Sequence, residues 1–281
     1  MSGFNSKNNI NINLNIGDQL TSISCGHIVV ELIKFIAYQR LQIPYTYQWL
    51  KEVVNKRKSC EDVREGHLSE RHFFVASTAL NNLDFIIKSL LKEIETSIPE
   101  EICIVLGGTP ITCKEVYRLI LPRACHKQQC HSTHIASDQK IQRNVFKTLV
   151  TSDKLSQIFF NTLSPTNMYI FIKKNISNNQ DVVCADTFLS VDGYRLPRSC
   201  KIVCLDFRTQ NHQNVSCCHK FQIFGDAINV NIDQLNTDEE VEFNEIESTD
   251  DKRWFQSSYI MKGFKDCTVN GSSVTNAWLQ Y

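Results

Sequence analysis

The sequence predicts an α+β fold, with long helices packed on one face of a mainly antiparallel sheet. Two observations predict it. Between Ser22 and Thr162 apolar residues recur at spacings of three and four, as on one side of a helix, and after Pro165 the chain breaks into short runs rich in β-branched and aromatic residues. The helical and extended patterns follow one another without regular alternation, which argues against a parallel βαβ sheet. A chain of 281 residues, 42% of them hydrophobic, has enough apolar surface for a full core. It is read as one folded unit over residues 19–266.

MSGFNSKNNININLN is rich in asparagine and serine, without the apolar core of a signal peptide or the arginines of a transit peptide, and residues 1–18 are expected to be a disordered tail. From Ser22 to about Gln42, Ile28, Val29, Leu32, Ile33 and Ile36 form one helical stripe, opposed by His27, Glu31, Lys34 and Tyr38, and Pro44 follows its end. YQWLKEVV predicts a short second helix, and the charged KRKSCEDVREGHLSE an exposed loop. Phe73, Ala76, Leu80, Leu83, Ile87, Leu90 and Ile94 predict the longest helix, a central packing element. EICIVLGGTP predicts a strand closed by a glycine pair, TCKEVYRLI a brief helix, and Ser137–Thr162 a third long helix with Ser137 as N-cap. NMYIFIKK, VVCADTFL, KIVCLDFR, HKFQIFGD and WFQSSYIMKGF predict strands. Residues 231–252, NIDQLNTDEEVEFNEIESTDDK, read as a solvated acidic insertion, and residues 267–281 as a C-terminal tail.

Charge and composition narrow the function. Thirty basic residues balance thirty acidic ones, so no overall field draws the chain to nucleic acid or an anionic membrane, and proteins are the expected partners. HIVVELIKFIAY, the most apolar helical stretch, is interrupted by Glu31 and Lys34, so no membrane span is expected. The twelve scattered cysteines read as reduced thiols.

The motifs that suggest chemistry are weak. In ACHKQQCHSTH, residues 124–134, Cys125, Cys130 and His134 with His126 or His131 offer a zinc ligand set, and Cys217, Cys218 and His219 lie elsewhere. The loop has no glycine and its spacing matches no common finger, so it reads as a surface connector with no cofactor, and a zinc-dependent enzyme is the lesser alternative. The LGGTP turn lacks the Gly-Lys-Ser/Thr of a phosphate loop. Two features look like recognition. Gln39 lies seven residues after Leu32, at the end of the first stripe, and Phe146 and Val150 lie beside the Ile141–Val145–Leu149 stripe.

Three blocks in order, ELIKFIAYQRLQIPYTYQWLK, ICIVLGGTPITCKEVYRL and WFQSSYIMKGFKD, resemble the comet family of Mad-two binding proteins. VFKTLVTSDKLSQI and GYRLPRSCKI add weaker similarity. The resemblance implies a HORMA-like fold: three long helices on an antiparallel sheet, with a C-terminal segment like the seat belt of Mad-two. It also implies a monomeric adaptor, not an enzyme, that binds the closed conformer of Mad-two and presents it to an AAA+ ATPase of the Pch-two type, silencing the spindle assembly checkpoint. The expected location is nucleus and cytoplasm, with spindle or kinetochore in mitosis. By the same resemblance Gln39 and Phe146 contact Mad-two, with Arg40 and Val150 as neighbours. The ATPase-facing residues are Phe188, Tyr194, Arg195 and Pro197, although Ser190 and Val191 stand where the family has Pro-Lys. Another HORMA-type adaptor, of the repair or autophagy kind, is the alternative within the same fold class.

Overall fold

The computed structural model describes residues 9–14, 20–59, 66–122, 138–176, 187–197, 199–208 and 251–280. The Cys/His loop, the Cys217–His219 cluster, Ser137, HKFQIFGD and residues 231–250 of the acidic insertion lie outside the described residues.

The first helix, α1, is Ser22–Gln39, and Thr21 caps it by accepting the Ser24 N–H at 3.0 Å. Its predicted stripe is buried throughout. The helix ends because Leu41 adopts a left-handed conformation, φ 55°, which turns the chain out of the axis. Gln42 holds that turn: its Nε2 donates to the Arg40 carbonyl at 2.6 Å and its Oε1 accepts the Thr166 N–H at 2.7 Å. The second helix, α2 (Tyr47–Ser59), runs further than predicted, since Lys56, Arg57 and Lys58 favourably occupy the negative end of its dipole. The third, α3 (His67–Thr96), follows its predicted stripe. In place of one long helix after residue 137 there are two, α4 (Asp138–Val150) and α5 (Asp153–Phe160). The Thr151 hydroxyl bonds back to the Lys147 carbonyl at 2.8 Å and Ser152 N-caps α5, so the sequence stops one helix and starts another.

The strands are β1 (Asn9–Asn13), β2 (Glu101–Gly107), β3 (Cys113–Ile120), β4 (Asn167–Ile176), β5 (Phe188–Val191), β6 (Lys201–Asp206), β7 (Asp251–Ser257) and β8 (Met261–Lys262). They form one sheet in the order β1-β6-β3-β2-β4-β7-β5, with β8 also on β4. Pairing is antiparallel except where β6 lies parallel to β1 and to β3. The α+β class and the mainly antiparallel sheet therefore stand as predicted.

Three local expectations are corrected. TCKEVYRLI is a strand, not a helix: Tyr117 and Leu119 face the helices while Val116 faces the other side, and pairing with β2 on one edge and β6 on the other fixes that alternation. The N-terminal tail contains β1, because NININ alternates isoleucine with asparagine and its isoleucines lie opposite Val203 and Leu205. The C-terminal tail is also folded. Asn270 and Gly271, both at positive φ, turn the β9 (Thr268–Val269) and β10 (Ser272–Ser273) hairpin, and α6 (Val274–Ala277) and a 3-10 turn (Trp278–Gln280) follow.

The two sheet faces carry separate clusters. Ile102, Ile104, Leu106, Ile170 and Ile172 pack under the helices, and Cys103, Val105, Val116 and Phe171 pack on the second face. On the helical side Lys174 of β4 forms a buried ion pair with Glu93 of α3. The C-terminal turn docks on α2 and α3. Trp278 is fully buried against His72 and Phe73, and its Nε1 donates to Ser69 Oγ at 3.0 Å. Asp266 accepts the Tyr45 hydroxyl at 2.8 Å and the Thr275 hydroxyl at 2.6 Å, with His72 Nε2 at 3.2 Å.

Burial pushes His72 below the ordinary histidine value, against the pull of Asp266. The unfolded chain therefore binds a proton near pH 6.5 before the folded one does, and stability is full above that pH and declines as pH falls toward the folded value. In thermal melts, Tm is expected to drop between about pH 7.5 and 5.5, with a smaller drop in His72→Gln. Trp278→Ala is expected to cost about 3–5 kcal/mol in urea unfolding, whereas a disordered tail predicts no change.

Candidate functional site

Gln39 and Arg40, neighbours in sequence, have different fates. Arg40 follows the last residue of α1 and turns inward, leaving 1% of its surface exposed. Its Nε and Nη2 donate to the two Glu115 oxygens, each at 2.8 Å; Nη2 also reaches the Asn161 carbonyl at 2.9 Å and Nη1 the Ile158 carbonyl at 3.3 Å. The Phe159 ring lies 5.8 Å from the guanidinium, and the Tyr117 hydroxyl donates to Glu115 at 3.0 Å. Burial, with the Glu115 charge alongside, pushes the Tyr117 phenol well above its ordinary value, so it stays a donor. Arg40 therefore binds the fold together and is not a surface contact, which corrects the expectation placed on it. A guanidinium this desolvated persists because a bidentate carboxylate and two helix-end carbonyls satisfy it.

Gln39 remains half-buried at the end of α1. Phe146 of α4 is also half-buried, and meets the Phe35 ring edge-on with centroids 5.5 Å apart. Phe35 in turn packs against Phe159 at 5.9 Å, so one ring of α1 supports both α4 and α5. Phe146 borders an open cleft of ≈ 340 Å³ whose other lining includes Lys34, Phe35, Tyr38 and Tyr47. Lys34 lies 4.6 Å over the Tyr47 ring and pairs with Glu31 at 2.7 Å, while the Tyr47 hydroxyl donates to Asp84 at 2.6 Å.

Further along α4, Val150 is 67% exposed, and Arg143 and Lys147 are exposed near it. Phe160, at the end of α5, is 88% exposed. The sequence reading missed Phe160, yet a signal was present: it lies off the stripe of Leu155 and Ile158. These helices therefore present apolar side chains with basic neighbours, an arrangement suited to protein recognition.

The ATPase-facing expectations divide differently. Phe188 of β5 points into the helix-side core, because pairing of β5 with β7 fixes its alternation, so it is not available at the surface. Tyr194 stacks on Phe171 with centroids 4.1 Å apart and planes 5° apart, and meets Trp254 edge-on. It covers the second sheet face. Pro197 is half-buried and its carbonyl accepts Cys200 Sγ at 3.0 Å, while Arg195 is exposed. Among the described residues no group of three His, Cys, Asp or Glu side chains is placed to hold a metal ion, and no helix is long and apolar enough to cross a membrane. Thr275, His72 and Asp266 look like a nucleophile, base and acid, but Thr275 is fully buried and its hydroxyl donates to Asp266.

Residues 12–199 match the family described as p31comet, Mad1 and Cdc20-bound-Mad2 binding. The chain is also similar to the MAD2L1-binding protein of Mus musculus, 26% identical over 137 residues, which are 48% of this chain and 49% of that protein. The similarity thus spans about half of that relative's length.

Arg40→Ala leaves Glu115 buried without its cation and is expected to cost about 3–5 kcal/mol of folding stability in urea unfolding. Replacing the pair together, Arg40→Met with Glu115→Leu, is expected to recover most of that loss.

Proposed function

The chain belongs to the p31comet family, and from that premise we propose that it is a non-enzymatic adaptor that binds the closed conformer of Mad-two through the end of α1 and the outer side of α4. The observation that carries this reading is the pairing of Phe146, braced edge-on by Phe35, with the exposed Val150 one turn further along the same helix. A rigid aromatic ring already held in its bound orientation loses little side-chain entropy on docking, which is how interface anchors gain most of their energy. Gln39 adds a hydrogen-bonding group at the edge, and Arg143 and Lys147 favour a partner with acidic side chains around an apolar centre. The match to a family described by Mad-two binding supports that partner.

The family's known behaviour extends this role. The chain is a HORMA-like monomer whose C-terminal segment takes the seat-belt position, and it works in nucleus and cytoplasm, at spindle or kinetochore in mitosis. It presents closed Mad-two to an AAA+ ATPase of the Pch-two type, with Arg195 as the exposed contact of the 188–197 stretch, and thereby silences the checkpoint. Thermodynamics sets the division of labour. An adaptor that prefers the closed form stabilises it by its differential affinity, so opening must be driven by ATP in the partner.

Phe146→Ala is expected to weaken binding to closed-locked Mad-two by about 2 kcal/mol or more, measured by calorimetry. Val150→Glu is expected to weaken it likewise while leaving Tm unchanged, since Val150 is exposed. Unchanged affinity in both variants would place the partner elsewhere.

A further inference from the structure

Three cysteines, Cys103, Cys113 and Cys200, share the apolar cluster on the second sheet face with Val105, Val116 and Phe171. Cys113 reaches that face through a bulge. Along β3, Glu115 and Tyr117 face the helices and Val116 faces the second cluster, so strict alternation would send Cys113 toward the helices. The register with β2 shifts instead: Leu106 pairs with Glu115 and Gly107 with Cys113. The extra residue, Lys114, turns Cys113 to the opposite face. Gly107 makes this possible, because a Cβ there would lie 2.4 Å from Cys113 Cα.

Cys200 arrives from the neighbouring strand. It immediately precedes β6, which lies parallel to β3 with Lys201 opposite Glu115. The Cys200 S–H is given to the Pro197 carbonyl at 3.0 Å, which leaves its sulfur as the acceptor for the nearby Cys113 thiol. The β3–β6 register brings Cys200 to within one residue of the level of Cys113 on the adjacent strand, and both side chains enter the same apolar cluster, so the pair is placed for the backbone separation of about 4.4–6.8 Å that a disulfide spans. Cys103 belongs to a different arrangement: its thiol donates to the Glu101 carboxylate at 3.2 Å and burial holds it firmly protonated.

We propose that Cys113 and Cys200 form a reversible disulfide, a thiol-modification site that ties the Tyr194–Cys200 stretch to the start of β3. The oxidant is a small disulfide such as oxidised glutathione. The bond from Cys113 lowers the Cys200 thiol below its ordinary value and raises that of Cys113, so Cys200 supplies the attacking thiolate. Cys200 Sγ attacks one sulfur of glutathione disulfide, forming a mixed disulfide and releasing one glutathione thiolate. Cys113 gives up its proton to solvent and its Sγ attacks Cys200 Sγ, releasing the second glutathione; two protein thiols and one glutathione disulfide become one protein disulfide and two glutathiones. Both sulfurs are buried, so the reaction proceeds when the stretch from Tyr194 lifts off Phe171. Once closed, the bond holds that stretch, with its exposed Arg195, against the sheet.

The full chain is equilibrated in glutathione redox buffers, acid-quenched, alkylated and mapped by mass spectrometry. A linked Cys113–Cys200 peptide that dithiothreitol reverses, with slower tryptic cleavage after Arg195 and a Tm higher by roughly 5–10 °C, is the expected result. Cys113→Ala is expected to leave Cys200 as a mixed disulfide with glutathione. Should both thiols stay fully alkylatable after denaturation at every buffer composition, or Cys200 pair with any other cysteine in the wild-type chain, the proposal is overturned, and wild-type mapping decides this even where a variant folds poorly.

Discussion

The buried ion pair between Arg40 and Glu115 is the constraint on which the rest of the helical side depends. It joins the end of α1 to the middle of β3, and its remaining donors grip the Ile158 and Asn161 carbonyls at the end of α5. Three elements of structure thus meet at one guanidinium: the end of α1, β3 and the end of α5, whose Phe159 ring also lies beside it. The turn that delivers Arg40 inward is held from the other side, where Gln42 bonds to the Thr166 N–H and the Phe264 N–H donates to the Gln42 carbonyl at 3.0 Å. Buried charge is costly, and the four hydrogen bonds that Arg40 donates offset that cost only while α1, β3 and α5 keep this arrangement.

The proposed binding surface inherits its shape from that node. With α1 and α5 fixed, Phe35 has a defined orientation, and it meets both Phe146 and Phe159 in T-shaped contacts. The surface is therefore organised before a partner arrives, and binding energy is not spent on ordering it. Arg40 contributes indirectly, as the residue that positions α1 and α5, while Gln39, Phe146 and Val150 remain at or near the surface. Phe160 extends the exposed apolar area to the end of α5.

How much of this was legible in the sequence follows from where the determining interactions lie. The stripes of α1 and α3 are local and periodic, so those helices could be read directly, as could the marginal placing of Phe146 and Val150. The fate of Arg40 depends on a carboxylate 75 residues away, which no local pattern reveals. β3 was misread because Val116, Tyr117, Leu119 and Ile120 fit either period until two neighbouring strands select the extended one. β1 and the C-terminal turn were hidden by polar composition: asparagine masked the alternation of NININ, and serine and threonine surrounded the one tryptophan that anchors the end of the chain. Phe188 was assigned to a surface by resemblance, and strand pairing places it in the core.

Amide hydrogen exchange on the full chain, free and bound to closed-locked Mad-two, tests whether α1 and α4 form the docking surface. New protection is expected to concentrate at the C-terminal turn of α1 and along α4, with β5 and the 194–197 stretch unchanged. Protection confined to the sheet edge or to the C-terminal segment, with α4 exchanging as in the free protein, would contradict it.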